Sequence, residues 1–175
     1  MKKIIGLVLS LTVISAVCAA VLAAVNAVTK EPIAEMLVKK TLDAAKAVMP
    51  DGVAAVEKID LKGGKSGYVG KDAAGKTLGY AVEGSDPKGY GGKIALMVGF
   101  RADKKTLVRY KTLVAAETPG LGMKLNAPEF AGQFAGKDAT ALKLKKKGGD
   151  IEAITAATIT SSAVCRALAD AQKAL

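Results

Sequence analysis

The chain has 175 residues, a net charge of +10, an apolar half and no histidine or tryptophan. The missing histidine excludes Ser-His-Asp and Cys-His catalysis, bis-His haem ligation and ordinary His zinc sites. Chemistry near neutral pH therefore has to be borrowed from a cofactor, with no catalytic residue or metal site of the chain's own. The basic residues are mostly lysine, aromatics make up 4% of the chain, and no recognised motif interleaves the two, which argues against nucleic acid as a partner.

The basic start, Lys2 and Lys3, leads into an uncharged run from Ile4 to Val28. Such a run is long enough to cross the roughly 30 Å hydrocarbon layer as a helix. It exceeds the h-region of about 7 to 15 residues found in a signal peptide, which favours a retained span, while "AVLAAVNA" keeps the small residues that a cleaved leader would need. Cys18 lies where a lipoprotein cysteine would, but Val17 before it fits that signal poorly. Lysines flank both ends of the run, Lys2 and Lys3 before it and Lys30, Lys39 and Lys40 after it, so charge alone leaves the orientation open. The division is an N-terminal segment, 1–28, and one domain, 29–175. A domain of roughly 150 residues buries about two-thirds of its unfolded surface and needs no staples.

Beyond the run, Ile33, Leu37, Thr41, Ala44 and Val48 recur at helical spacing, and Pro50 with Asp51-Gly52 closes the helix. From Val53 to Glu83, short apolar runs broken by "KGGKSG", "KDAAGK" and Gly84 predict antiparallel strands and turns. "KIALMVGF" and "TLVRYKTLV" around "RADKK" form a hairpin, with Ile94, Leu96, Val98 and Phe100 on one face of the first strand and Val108, Tyr110, Thr112 and Val114 on one face of the second. "APEFAGQFAG" predicts a short helix or turn that sets Phe130 and Phe134 on one side. "LKLKKKGG" alternates like a strand with a solvated lysine face. The last helix, "SSAVCRALADAQKAL", turns Val164, Leu168 and Ala169 inward. Cys18 and Cys165 are too differently placed to pair, and Cys165 reads as a small apolar helix residue.

Three segments ask for more than local structure. "DPKGYGGK", Asp86 to Lys93, is glycine-rich but lacks the spacing of a phosphate loop or dinucleotide fingerprint. In "ETPGLGMK", Pro119 and Gly120 suit the two central positions of a type II turn, which leaves Glu117, Thr118 and Gly122 unexplained. "ITAATITSSAV", residues 154 to 164, carries more hydroxyls than a helix cap requires. A hydroxyl at a helix start sits beside unpaired backbone N–H groups and the positive end of the dipole, where a phosphate is stabilised.

"EAITAATITSSAV" resembles the covalent attachment motif of the FMN-binding domain family: an acidic residue, two variable ones, Ser or Thr, Gly, Ala and Thr, then commonly a hydrophobic residue and Thr-Ser. Glu152 stands for the usual Asp, Thr155 for the Ser or Thr, Ala156 for the Gly, Ala157 for the Ala, and Thr158 for the threonine that carries the flavin. Ile159, Thr160 and Ser161 complete it. With "GYGGKI", "ETPGLG" and "FAGQF" in order and an apolar N-terminal run, nearly the whole chain is similar to the G subunit of Rnf electron-transport complexes and to the related C subunit of sodium-pumping NADH:quinone reductases. Two residues depart from the motif, Ala156 and Glu152, and Ala115-Ala116 stand where a histidine is often seen.

The resemblance implies an α+β fold: one N-terminal transmembrane helix, then a single FMN-binding domain with an antiparallel or mixed sheet flanked by helices. It implies FMN joined by a phosphodiester to Thr158, moved there from FAD by an ApbE-type flavin transferase. Thr155, Thr160 and Ser161 would shape the phosphate end. The loop of Glu117, Thr118, Gly120, Leu121 and Gly122, with Tyr90 and Gly91, would lie beside the ring. The expected role is an electron carrier among the membrane subunits of an Rnf-type translocase, coupling ferredoxin and NAD redox chemistry to ion movement. The expected place is the bacterial cytoplasmic (inner) membrane, with the domain on the periplasmic side. Another flavin-carrying membrane system, such as the NADH:quinone reductase, and a non-redox anchored binding domain are the alternatives.

Overall fold

Helix α1 runs Lys2–Val48. The computed structural model describes residues 2–175; Met1 and the side chains of the basic start, Lys2 and Lys3, lie outside the described residues. Two units are distinguished, Met1–Lys40 and Thr41–Leu175. In the first, the helix holds a window of mean hydropathy 2.6, long and apolar enough to cross a membrane. Its hydroxyls bond inside the helix: Ser10 donates to the carbonyl of Gly6 and Thr12 to that of Val8, each at 2.9 Å. Polar groups satisfied in this way suit a lipid environment. Ile33 and Leu37, two of the residues that recur at helical spacing, are exposed.

The second unit takes up the end of α1, where Ala44, Ala45, Val48 and Met49 are buried. The helix stops before Pro50, which cannot continue it, and Gly52 takes a φ of +89° in the turn that follows. Five strands then follow: β1 Ala55–Asp60, β2 Ser66–Lys71, β3 Thr77–Asp86, β4 Ile94–Arg101 and β5 Leu107–Val114. They pair in chain order, antiparallel throughout, so the sheet is a meander.

Both faces of this sheet are covered, which is why β4 reads as an almost unbroken apolar run. One face, with Ile94, Leu96, Val98 and Phe100, packs against helix α3, Thr158–Lys173, and against Phe130 and Phe134. The other face, with Ala81 and Met97, packs against the end of α1. Glycines allow these close approaches. A Cβ on Gly84 would run into the Ala167 carbonyl of α3, and one on Gly99 into the Val48 carbonyl of α1.

Helix α2, Pro128–Ala131, continues into a 3₁₀ turn and places Phe130 and Phe134 edge to face with centroids 5.3 Å apart, as their spacing predicts. Three expectations need correction. First, β5 does not keep a simple alternation, because irregular register opposite Ala95–Leu96 and Val98–Phe100 shifts its faces. Leu107 is therefore buried, while Val114 is 53% exposed. Second, "LKLKKKGG" is no strand: Leu144 makes a single bridge to Ile151, and Lys145–Lys147 form a 3₁₀ turn ended by Gly148 at φ +77°. The short return of chain to Ile151 leaves no partner strand for the alternation to pair with. Third, Ala169 is only half-buried; the inward face of α3 is Val164 and Leu168 with Ala163, Ala167 and Ala171, since close approach to β3 selects alanine.

Candidate functional site

The site is built where the chain turns from Ile151 into α3. Ser161, fully buried, fixes this turn from below: its hydroxyl accepts from the Ile154 N–H and donates to the Ala157 carbonyl, both at 2.9 Å. The Ala157 N–H in turn bonds the Ile154 carbonyl at 2.9 Å. To close so tightly, the backbone passes through the left-handed region at Ala156, φ +60°. Helix α3 begins at Thr158, and Ala157 before it supplies no side-chain cap. The N–H groups of the first turn are thus left without an intrahelical acceptor, at the positive end of the dipole and beside the exposed Thr158.

Opposite this turn lies Glu117, 6% exposed. Its carboxylate joins three segments: Oε2 accepts from the Thr160 hydroxyl at 2.7 Å, and Oε1 accepts from the Gly91 N–H at 3.2 Å. The turn after it closes with the Leu121 N–H on the Thr118 carbonyl at 3.2 Å, with Gly120 at φ +75°, as a type II turn requires. A Cβ on Gly122 would strike the same carboxylate, and one on Gly91 the Ala116 carbonyl. Those two glycines are therefore there for clearance. The loop 86–93 is fastened to α3 by Arg166, which holds Asp86 through both carboxylate oxygens at 2.7 and 3.0 Å.

Between these segments opens a cavity of about 490 Å³ lined by Tyr90, Glu117, Thr118, Leu121, Gly122 and the stretch Ala156 to Thr160. Tyr90, Ile159 and Leu121 hold unusually exposed apolar surface at its rim, 72%, 54% and 43%. A partly apolar hollow with a helix N-terminus at its lip fits an aromatic ligand that ends in a phosphate, which is the chemistry of FMN.

Residues 89–173 match the FMN-binding domain family. The chain is 34% identical to the G subunit of the ion-translocating oxidoreductase complex of Methanosarcina acetivorans, over 95% of this chain and 92% of that protein. The chain belongs to the family of these G subunits. A second member, the G subunit of the Na(+)-translocating ferredoxin:NAD(+) oxidoreductase complex of Acetobacterium woodii, is 36% identical over 93% of this chain and 87% of its own length. The crystal structure of Shewanella oneidensis NqrC shares the fold, with a TM-score of 0.53 at 24% identity over 72% of this chain and 64% of that one.

Within this fold the residues singled out from the sequence divide into three groups. Tyr90, Glu117, Thr118, Leu121, Gly122, Ala156, Ala157, Thr158, Ile159 and Thr160 share the cavity. Gly91, Gly120 and Ser161 hold its walls by backbone conformation and hydrogen bonds. Glu152 and Thr155 face adjoining clefts instead, one lined by Lys124 and Phe130 and the other by Lys145, Lys146 and Thr158. Glu152 is paired with Lys145, whose hydrogen bond holds its carboxyl below the usual range.

Sequence reasoning missed Lys145 and Lys146, because "LKLKKK" resembled a strand. It also passed over Gly89, whose N–H bonds the Gly92 carbonyl at 3.0 Å and where a Cβ would come 2.8 Å from Glu117 Oε1. The repeated glycines of "KGYGGK" were the signal available. Cys165 is buried, and desolvation pushes its thiol up to about 11, in keeping with a packing role.

Proposed function

We propose that this chain carries FMN joined through its phosphate to the Thr158 hydroxyl, and serves as an electron carrier in a membrane complex that couples ferredoxin:NAD(+) electron transfer to ion translocation. One observation carries the reading: Thr158 is the exposed first residue of a helix that no side chain caps, at the lip of a cavity of about 490 Å³. The phosphate end would be held by first-turn N–H groups and the helix dipole. Leu121, Ile159 and Tyr90 would supply apolar contact for the ring, and Thr118 and Glu117 the polar wall. When bound, the flavin supplies electron acceptance that no side chain of the chain offers. A covalent tether keeps the group on so open a surface.

Maturation calls for an ApbE-type flavin transferase, and the apolar helix calls for neighbouring membrane subunits, with the domain on the extracytoplasmic side. The test is mass spectrometry of the peptide containing Thr158, from cells that make the transferase, together with flavin fluorescence of the denatured gel band. The wild-type peptide gains the mass of an FMN ester, Thr158→Val abolishes mass gain and fluorescence, and Thr158→Ser retains some of both. Attachment at Thr155 or Thr160, or an unmodified native peptide, overturns the reading.

A further inference from the structure

The buried carboxylate of Glu117 is more than the joining of three loops requires. Both groups that reach it, the Gly91 N–H and the Thr160 hydroxyl, donate to it. A neutral amide would serve nearly as well for that purpose, since its oxygen accepts one donor and the threonine hydroxyl rotates to accept from its nitrogen. A carboxylate instead places a full charge where charge is expensive to bury. Among the described residues, no Lys or Arg forms an ion pair with it. Its position is also fixed. Gly89 and Gly122 leave it just enough room, for a Cβ on either would press against the carboxylate, and Thr160 holds it from the first turn of α3. The same side chain lines the cavity.

We propose that Glu117 is a potential-setting residue: a fixed negative charge in the wall of the cavity that disfavours addition of electrons to a flavin held there. The field of an unpaired charge in a poorly solvated wall is weakly screened, so it acts without touching the ring. This inference rests on the FMN reading above. It predicts that removing the charge favours the reduced flavin, and that the hydrogen bond from Thr160 moderates the effect by drawing charge toward α3.

The experiment uses the full chain in detergent, made with a flavin transferase, its FMN content fixed by mass before spectroscopic redox titration. Glu117→Gln is expected to move the midpoint to a more positive potential, changing the oxidised-to-reduced ratio at fixed ambient potential by roughly tenfold, about 30 mV for a two-electron couple. Glu117→Asp, which keeps the charge, restores most of the wild-type value. A flavin-loaded Glu117→Gln chain that titrates with the wild type overturns the inference and leaves the FMN reading intact. A wild-type chain without FMN removes both. Should Glu117→Gln fail to fold, Glu117→Met, uncharged and of similar length, decides: a flavin-loaded chain with a more positive midpoint supports the inference, and one that titrates with the wild type overturns it.

Discussion

Ala156 holds a φ of +60° immediately before the helix that presents Thr158. A Cβ in that region costs roughly 1–2 kcal/mol, and in the motif that this stretch resembles the position is usually glycine. The departure seen in the sequence is thus a strain in the fold, accepted because Ser161 and the Ala157–Ile154 bond close the turn around it. Ala156→Gly should relieve that strain, less roughly 0.4–1 kcal/mol for the added freedom of the unfolded chain. A net gain of up to about 1.6 kcal/mol is expected, a rise in melting temperature of up to about 6 °C. A lower melting temperature would mean that the Ala156 methyl makes contacts worth more than the strain.

Between elements, the site depends on how the loop after β3 is fastened to α3. Asp86 ends that strand and is gripped by Arg166, whose hydrogen bonds hold its carboxyl below the usual range against the opposing effect of burial. A carboxylate with a depressed folded value contributes stability that is present above its unfolded value, about 3.9, and is lost as pH falls through the lower folded value. Urea midpoints measured from pH 6 down to pH 2 should therefore fall at the acid end. Asp86→Asn should flatten that part of the fall and cost about 2 kcal/mol at neutral pH. Equal slopes for both proteins would show that other carboxylates dominate. Asp170, bonded to Lys65 and to the Ser85 N–H, ties the same strand to the same helix one turn farther on. This partnership of β3 with α3 is invisible to periodicity, because Asp86 reads locally as the start of a turn.

For the molecule as a whole, the end of α1 belongs to the core of the second unit, although its sequence runs on from an apolar span. Ala44, Ala45, Val48 and Met49 cover Ala81 and Met97 on the sheet face away from α3. A chain beginning at Thr41 should fold as a soluble protein with a single cooperative melt. One beginning at Val53 should lose roughly 1.5–3 kcal/mol for each of Val48 and Met49 and expose an apolar sheet face. Size-exclusion profiles and thermal melts of the two fragments check this, and a fully stable shorter fragment would show that the second core contributes little.

Much of this protein was written in local pattern. The uncharged run from Ile4 to Val28, the face of β4 that carries Ile94, Leu96, Val98 and Phe100, and the paired phenylalanines each follow from short-range spacing, as does the hydroxyl-rich entry to α3 that contains Thr158. Spacing failed where contacts are distant or the backbone irregular. The bulged register of β5 displaced its inward face, and the lysine run after Leu142 had no strand to pair with. What only the tertiary structure decided is which hydroxyl is exposed and which is buried. Thr158 and Thr160 are equivalent as letters, yet one is exposed at the cavity and the other is turned into the core to bond Glu117, 43 positions away. Local periodicity carries no information about a partner so far along the chain; packing of α3 against the sheet brings the two together and leaves the other hydroxyl exposed at the cavity.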